Sequence, residues 1–298
     1  MMKINKITEQ LNIKSKDIDQ KNVSQILSII NKEDSSVSEA VKNALPEIAL
    51  FIENVIKKIN KSGRLIYIGS GTSGRLGVLD ASECPPTFGV SKDLVQGIIA
   101  GGDKALKESI EGAEDSLTDS VSELKKINFN SNDIILGISA SGTTPFVLTA
   151  LEYANKIGAV TGFITCNKIK SLKYIDYIIQ VIVGPEAISG STRLKAGTAT
   201  KMVLNMISTT AMIKLNHTFG NIMIDLSPKN VKLVNRAIDI LKKELSMNKE
   251  QAQNLYQKSG EDLKIAILMG KREMSYDDAK KTLLKNKGSL SKSLTQDG

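Results

Sequence analysis

The sequence predicts an α/β fold, a doubly wound parallel β-sheet flanked by helices, with helices ahead of it and a small helical appendage behind it. Three observations carry that expectation. Short apolar runs alternate with helix-length amphipathic segments between residues 64 and 184. Two of those runs stop at loops of glycine and hydroxyl residues, as strands do before an anion-binding turn. Ahead of the region apolar residues instead recur at spacings of three and four, and behind it the chain reads as short lysine-rich helices.

In chain order, residues 1–60 read as helical. Ile26, Ile29 and Ile30, then Val37, Val41, Ala44, Ile48, Phe51, Ile52 and Val55 keep helical spacing. Asp34-Ser-Ser36 supplies cap residues, and Ser62-Gly63 a stop. Residues 61–227 form the α/β domain, with strands expected at 64–68, 95–99, 133–137, 160–165 and 178–183 and helices at 103–126 and 145–157. Past Pro185 another hydroxyl-rich loop, Ser189-Gly-Ser-Thr-Arg-Leu-Lys195, leads into a helix over 197–215. Residues 228–298 read as short lysine-rich helices broken at Gly260, Gly270 and Gly288.

Composition narrows the function. At 41% hydrophobic and 24% charged, the 298 residues are ordinary for a soluble globular protein. A net charge of +8 is compatible with a nucleic-acid partner, but its distribution argues against one. Residues 229–298 hold 15 Lys/Arg against 9 Asp/Glu, so +6 of the charge lies along helix-like patterns that read as a solvated face. Two cysteines, Cys84 and Cys166, make no disulfide framework and no zinc-ligand spacing. A polar N-terminus, and no apolar run near the ~20 residues a membrane span needs, lead us to expect a cytoplasmic protein with no membrane partner.

The loops carry the chemistry. Arg64-Leu-Ile-Tyr-Ile68 runs into Gly69-Ser-Gly-Thr-Ser-Gly74, where small residues let the backbone approach an anion. Asp133-Ile-Ile-Leu-Gly-Ile138 runs into Ser139-Ala-Ser-Gly-Thr-Thr144 and then Pro145, with Thr144 as N-cap and proline in the first turn. Together they point to one phosphate at the carboxyl edge of the sheet. Ser70, Thr72, Ser73, Ser139, Ser141, Thr143 and Thr144 are its candidate donors. A dinucleotide would require an acidic residue about 20 positions on, and Asp103 lies well past that. His217 is the only histidine, so a Ser-His-Asp triad or a histidine metal site would rest on it alone, and no metal or redox cofactor is expected. The chemistry falls to carboxylates. Taken singly, Glu83, in an expected loop between a helix and two prolines, reads first as a helix-end cap or surface carboxylate. Glu111 and Glu114, three apart on an expected helix, read as solvated charge. Glu186 is a third carboxylate at a strand end.

At these residues the chain resembles the N-acetylmuramic acid 6-phosphate etherases. The resemblance rests on Tyr67-Ile-Gly-Ser-Gly-Thr-Ser-Gly-Arg-Leu-Gly77, Asp80-Ala-Ser-Glu-Cys-Pro-Pro-Thr-Phe-Gly89 and Glu111-Gly-Ala-Glu-Asp115. It extends through Ser139-Ala-Ser-Gly-Thr-Thr-Pro145, Ser191-Thr-Arg-Leu-Lys-Ala-Gly197 and Gly220-Asn-Ile-Met-Ile-Asp225. It runs from about Thr8 to the C-terminal helices, departing at Leu11, where the family usually has arginine. It implies a sugar isomerase (SIS) domain, a phosphosugar substrate and a homodimer. By resemblance Glu83 is the general acid and Glu114 the base in releasing D-lactate, with no cofactor. Glu186, Ser191 and Lys195 are candidate further substrate contacts, and Arg75, Arg193 and Lys195 candidates for the lactyl carboxylate. A sugar-phosphate isomerase working through Glu186, or a non-catalytic sugar-phosphate sensor, would use the same loops.

Overall fold

A computed structural model of the chain describes residues 6–225 and 231–295. The chain divides into two compact units, Met1–Ser82 with Lys92–Ser208, and Glu83–Ser91 with Thr209–Gly298. The boundary expected between residues 227 and 228 lies outside the described residues.

In the first unit, helices α1 (Val23–Asp34), α2 (Val37–Asn43) and α3 (Leu45–Ile59) precede the sheet. An asparagine capping box starts α1, Asn22 accepting from the Gln25 amide while the Gln25 side chain accepts from the Asn22 amide. Strand β1 (Leu65–Gly69) leads into helix α4 (Gly71–Phe88), then β2 (Val95–Ile99). Helix α5 (Asp119–Lys126), β3 (Ile134–Ile138), α6 (Pro145–Lys156), β4 (Val160–Thr165), β5 (Tyr177–Gln180) and α7 (Lys195–Lys214) follow. The strands pair in the order β2-β1-β3-β4-β5, all parallel. This is the doubly wound sheet the alternating pattern predicts. Every residue of β1 and β3 is buried, as central strands covered on both faces require. Ile66, Ile68 and Ile135 pack with Phe146, Val147 and Leu151 of α6 in one apolar cluster. Arg64, just before β1, holds the buried Asp133 through Nε–Oδ1 at 3.0 Å and Nη2–Oδ2 at 2.7 Å, locking the entry of β1 to that of β3.

Three local expectations need correction. Residues 103–126 are not one helix. Gly112 has φ 72, a left-handed value that ends a right-handed helix, so the segment splits into 3₁₀ turns at Asp103–Leu106 and Ala113–Asp115 and the separate α5. Glu111 and Glu114 therefore share no helical face. Pro85 and Pro86 lie inside α4 instead of ending it, so Glu83 is helical and not in a loop. Each proline removes one backbone hydrogen bond, and the helix stops soon after, where Gly89 takes φ 68. Strand β5 ends at Gln180, not at residue 183. The Val181 amide still reaches the Thr165 carbonyl at 2.8 Å before the chain leaves the sheet.

The second unit holds a two-stranded antiparallel ribbon, β6 (Thr218–Phe219) and β7 (Ile222–Met223). Helices α8 (Val231–Leu245), α9 (Lys249–Lys258), α10 (Leu263–Arg272), α11 (Tyr276–Lys285) and α12 (Leu290–Thr295) complete it. Its core includes Ile238, Leu241, Tyr256, Ile267 and Leu268. Gly260 and Gly288 fall between helices as expected. Gly270 lies inside α10, where a Cβ would press on the Leu245 side chain. No helix among the described residues is long and apolar enough to cross a membrane.

Candidate active site

Strands β1 and β3 are neighbours and end together, Gly69 pairing with Ile138. The loops that follow therefore start side by side. In this strand order β1 and β3 flank the point where the winding reverses, and the crevice beyond their carboxyl ends is where such sheets bind ligands. A cavity of about 480 Å³ lies there. Its walls include Ser70, Thr72 and Ser73 from the first loop and Ser139, Ser141, Thr143 and Thr144 from the second. All seven predicted phosphate donors thus converge on one space. The first loop needs its glycines for contact: a Cβ on Gly74 would stand 2.7 Å from the Gly69 carbonyl oxygen, blocking the close approach of α4 to β1.

The second loop is organised by its own hydroxyls. Ser139 Oγ lies 2.7 Å from Thr144 Oγ1 and 3.3 Å from Ser141 Oγ, which lies 3.2 Å from Thr143 Oγ1. Thr144 occupies the N-cap position of α6, yet its hydroxyl makes no cap bond. It turns to Ser139 instead, while Pro145 has no amide hydrogen and the Val147 and Leu148 amides donate to the Thr144 carbonyl. Ser70 Oγ is buried without a hydrogen-bond partner among the described residues. A buried orphan hydroxyl in a polar cavity is a site awaiting an acceptor.

Glu114 lines this cavity and also an adjoining one of about 300 Å³. It is exposed, on the 3₁₀ turn that follows Gly112, with the Asp115 amide closing that turn on the Gly112 carbonyl at 3.1 Å. Arg75 lines the smaller cavity and braces the loop ahead of Glu114, donating from Nε to the Leu106 carbonyl and from Nη2 to that of Glu108. Glu83 belongs to the second unit and is exposed on α4.

Other candidates lie elsewhere. Glu186 is fully buried and accepts from the amides of Lys195 at 3.0 Å and Ala196 at 2.9 Å, capping α7. Burial pushes its carboxyl above the ordinary glutamate value, against those amide bonds and the Lys195 charge. The Lys195 ammonium is buried on Glu33 Oε2 at 2.6 Å. Burial alone would raise the Glu33 carboxyl, but bonds from Lys195, Asn12 and Lys14 hold it below its usual range. Ser191 is half-buried next to Thr192, which does line the larger cavity, and Arg193 is exposed. In the second unit, His217 Nδ1 lies 2.6 Å from Asp225 Oδ2, which also takes Lys264 Nζ at 2.7 Å. Among the described residues no group of three or more His, Cys, Asp or Glu is arranged to hold a metal ion.

Sequence likeness decides the family. The N-acetylmuramic acid 6-phosphate etherase of Clostridium beijerinckii is 49% identical over 293 residues, 98% of this chain and 96% of its own length. The chain belongs to the N-acetylmuramic acid 6-phosphate etherase family. A second etherase, from Clostridium botulinum strain Langeland, is 50% identical over 283 residues, 95% of this chain and 94% of that one. A family model described as the glucokinase regulatory protein N-terminal SIS domain matches residues 47–155, which hold β1, β3 and both loops. The solved phosphoheptose isomerase of Neisseria gonorrhoeae aligns at 14% identity and a TM-score of 0.45, over 63% of this chain and 97% of that one.

The etherase-family cavity also takes Lys6, Glu9, Asp115 and Thr192, none of which sequence reasoning singles out. Lys6 and Glu9 flank Thr8, where the resemblance begins, and that was the one available signal. No local pattern brings them to loops more than 130 residues away.

Proposed function

We propose that the protein releases D-lactate from N-acetylmuramic acid 6-phosphate, leaving N-acetylglucosamine 6-phosphate, as a carbon–oxygen lyase. Beyond membership of the etherase family, the observation that carries this reading is the single cavity shared by both hydroxyl loops and Glu114. A phosphate held by the loops fixes one end of an open-chain sugar and turns its binding energy into orientation. The C2 proton is α to the C1 aldehyde and acidic enough for a carboxylate to remove. Glu114 takes that proton, the electron pair forms the C2–C3 double bond, and the C3–O bond breaks. Glu83 gives its proton to the departing lactyl oxygen. Water then adds across the double bond, its hydroxyl to C3 and a proton to C2. Two carboxyls in opposite protonation states suffice. The deciding experiment measures lactate from the purified protein and this substrate. An aldose–ketose product without lactate would point instead to isomerase chemistry.

The phosphate assignment has its own test. Ser141→Ala removes one hydroxyl that would donate to a charged acceptor, a bond of roughly 1.5–3 kcal/mol. KM for the phosphosugar should rise by about one to two orders of magnitude, with kcat little changed. Turnover and binding like the parent's would place the phosphate elsewhere.

The same reading extends to a cytoplasmic homodimer acting in cell-wall sugar recycling. Val23 and Leu27 on α1 and Leu50 on α3 are large, apolar and 74%, 61% and 53% exposed, which supports an interface on the N-terminal helices. Light scattering at working concentration should give about twice the 32.3 kDa chain mass, and the monomer mass alone would sink the dimer.

A further inference from the structure

We propose that Lys6 is a phosphate-binding residue, held over the second loop by a segment anchored at Thr8. The inference rests on the phosphosugar reading above and adds the charge that the loops lack. Hydroxyls and backbone amides are neutral, whereas a phosphomonoester carries about −1.5 to −2 at neutral pH. Around the 480 Å³ cavity the described walls hold three carboxylates, Glu9, Glu114 and Asp115, and one cation, Lys6. Without that cation the dianion would enter a space whose fixed charges all repel it. With it, attraction is supplied at the loop that holds four of the seven candidate donors.

Geometry makes Lys6 more than a nearby surface lysine. Its Nζ donates to Thr143 Oγ1 at 2.9 Å, which spends one of three ammonium protons and leaves two for a ligand. The backbone beneath it is fixed. Ile7 donates its amide to Asn167 Oδ1, and the Asn167 amide group donates to Thr8 Oγ1 at 3.0 Å. Thr8 is fully buried, and its carbonyl accepts from the Gly190 amide at 3.0 Å. Asn167, just past β4, also donates to the Ala140 carbonyl at 2.9 Å, inside the second phosphate loop. One side chain therefore ties the Lys6 segment and the loop together. A lysine so mounted loses less freedom on binding an anion than one on a free arm.

The test compares Lys6→Met and Lys6→Arg with the parent, using inorganic phosphate as the probe and the phosphosugar as substrate. Lys6 is half-buried and bonds a single exposed hydroxyl, so both variants should melt like the parent. Lys6→Met should raise the Kd for phosphate and the KM for substrate in parallel, about tenfold each, with kcat within about twofold. Lys6→Arg should recover most of the loss. The fall in phosphate affinity with salt should be shallower in Lys6→Met than in the parent. Unchanged phosphate affinity in Lys6→Met, or a loss confined to kcat, would overturn the proposal, as would a parent that binds no phosphate. A parent that binds phosphate through Lys6 but releases no lactate would sink the etherase reading and leave this one standing. An active parent whose phosphate binding ignores Lys6 would do the reverse.

Discussion

Replacing Glu114 by glutamine should lower lactate release by ~10² to 10⁴-fold, the range expected when a positioned proton acceptor is lost. The side chain lines both cavities beyond the sheet edge, on a turn set by Gly112. Glutamine keeps its size and polarity but cannot take a proton. Binding should survive, so the loss should fall on kcat, and phosphate affinity should be no weaker than the parent's, since one of the repelling carboxylates is gone. Glu83→Gln is predicted to be equally slow in lactate release for a different reason, since it cannot protonate the departing ether oxygen. Its Glu114 can still lift the C2 proton and return one from solvent. In deuterated water Glu83→Gln should therefore exchange the substrate's C2 hydrogen faster than it releases lactate, and Glu114→Gln should do neither. Exchange in Glu114→Gln but not in Glu83→Gln would reverse the two roles. Full activity in either variant would remove that residue from the mechanism.

Lys195→Met should cost about 3–5 kcal/mol of stability, the usual penalty for stranding one partner of a buried ion pair. Lys195 and Glu33 side chains are each only 4% exposed and meet at 2.6 Å, with Asn12 Nδ2 on the same Glu33 oxygen at 2.7 Å. Removing the ammonium leaves Glu33 and Glu186 buried with less compensation. At roughly 2–4 °C per kcal/mol, the melting midpoint should fall by about 10 °C. The pH dependence follows from the lowered Glu33 carboxyl. Its contribution is present above the ordinary value of 4.5 and is lost as pH falls through the lower folded value. Glu186, raised by burial, has the opposite sign, its contribution fading as pH rises. The gap between parent and variant should therefore be widest near neutrality and shrink below pH 4.5. Calorimetry at neutral and acid pH measures it. A variant within about 1 kcal/mol of the parent at neutrality would mean that water or rearrangement replaces the pair. The double variant Glu33→Gln with Lys195→Met should recover part of the loss.

The sheet and both glycine–hydroxyl loops were legible because their signals are local. Each strand is an apolar run, and each loop a cluster of glycine and hydroxyl residues directly behind one. The pairing of Gly69 with Ile138, which makes the loops neighbours, follows from two strands of like length entering the sheet together at Arg64 and Asp133. What was not legible depends on backbone sign or on distant chain. Residues 103–126 carry helix-like periodicity, but Gly112 adopts a left-handed conformation that composition does not announce. Pro85 and Pro86 look like a helix stop, yet the helix tolerates them near its end. Glu186 and Lys195 look like substrate ligands because they are polar and flank a hydroxyl loop. Folding spends them on the amides of α7 and on Glu33, a residue 162 positions from Lys195.

The hydroxyl chain of the second loop has a consequence for how the cavity responds to acid. Each hydroxyl–hydroxyl contact among Ser139, Ser141, Thr143 and Thr144 can run in either direction. These groups are rotors. A fully ionised phosphate needs only donors, and spinning each O–H about its C–O bond provides them without moving a heavy atom or taking up a proton. When the ligand itself gains a proton, near its second ionisation at about pH 6, a neighbouring hydroxyl can spin back and accept from the new P–OH. The loop adds no titration of its own across that range. Its grip follows the protonation of the guest and loosens by degrees, as a linked set of swivels allows.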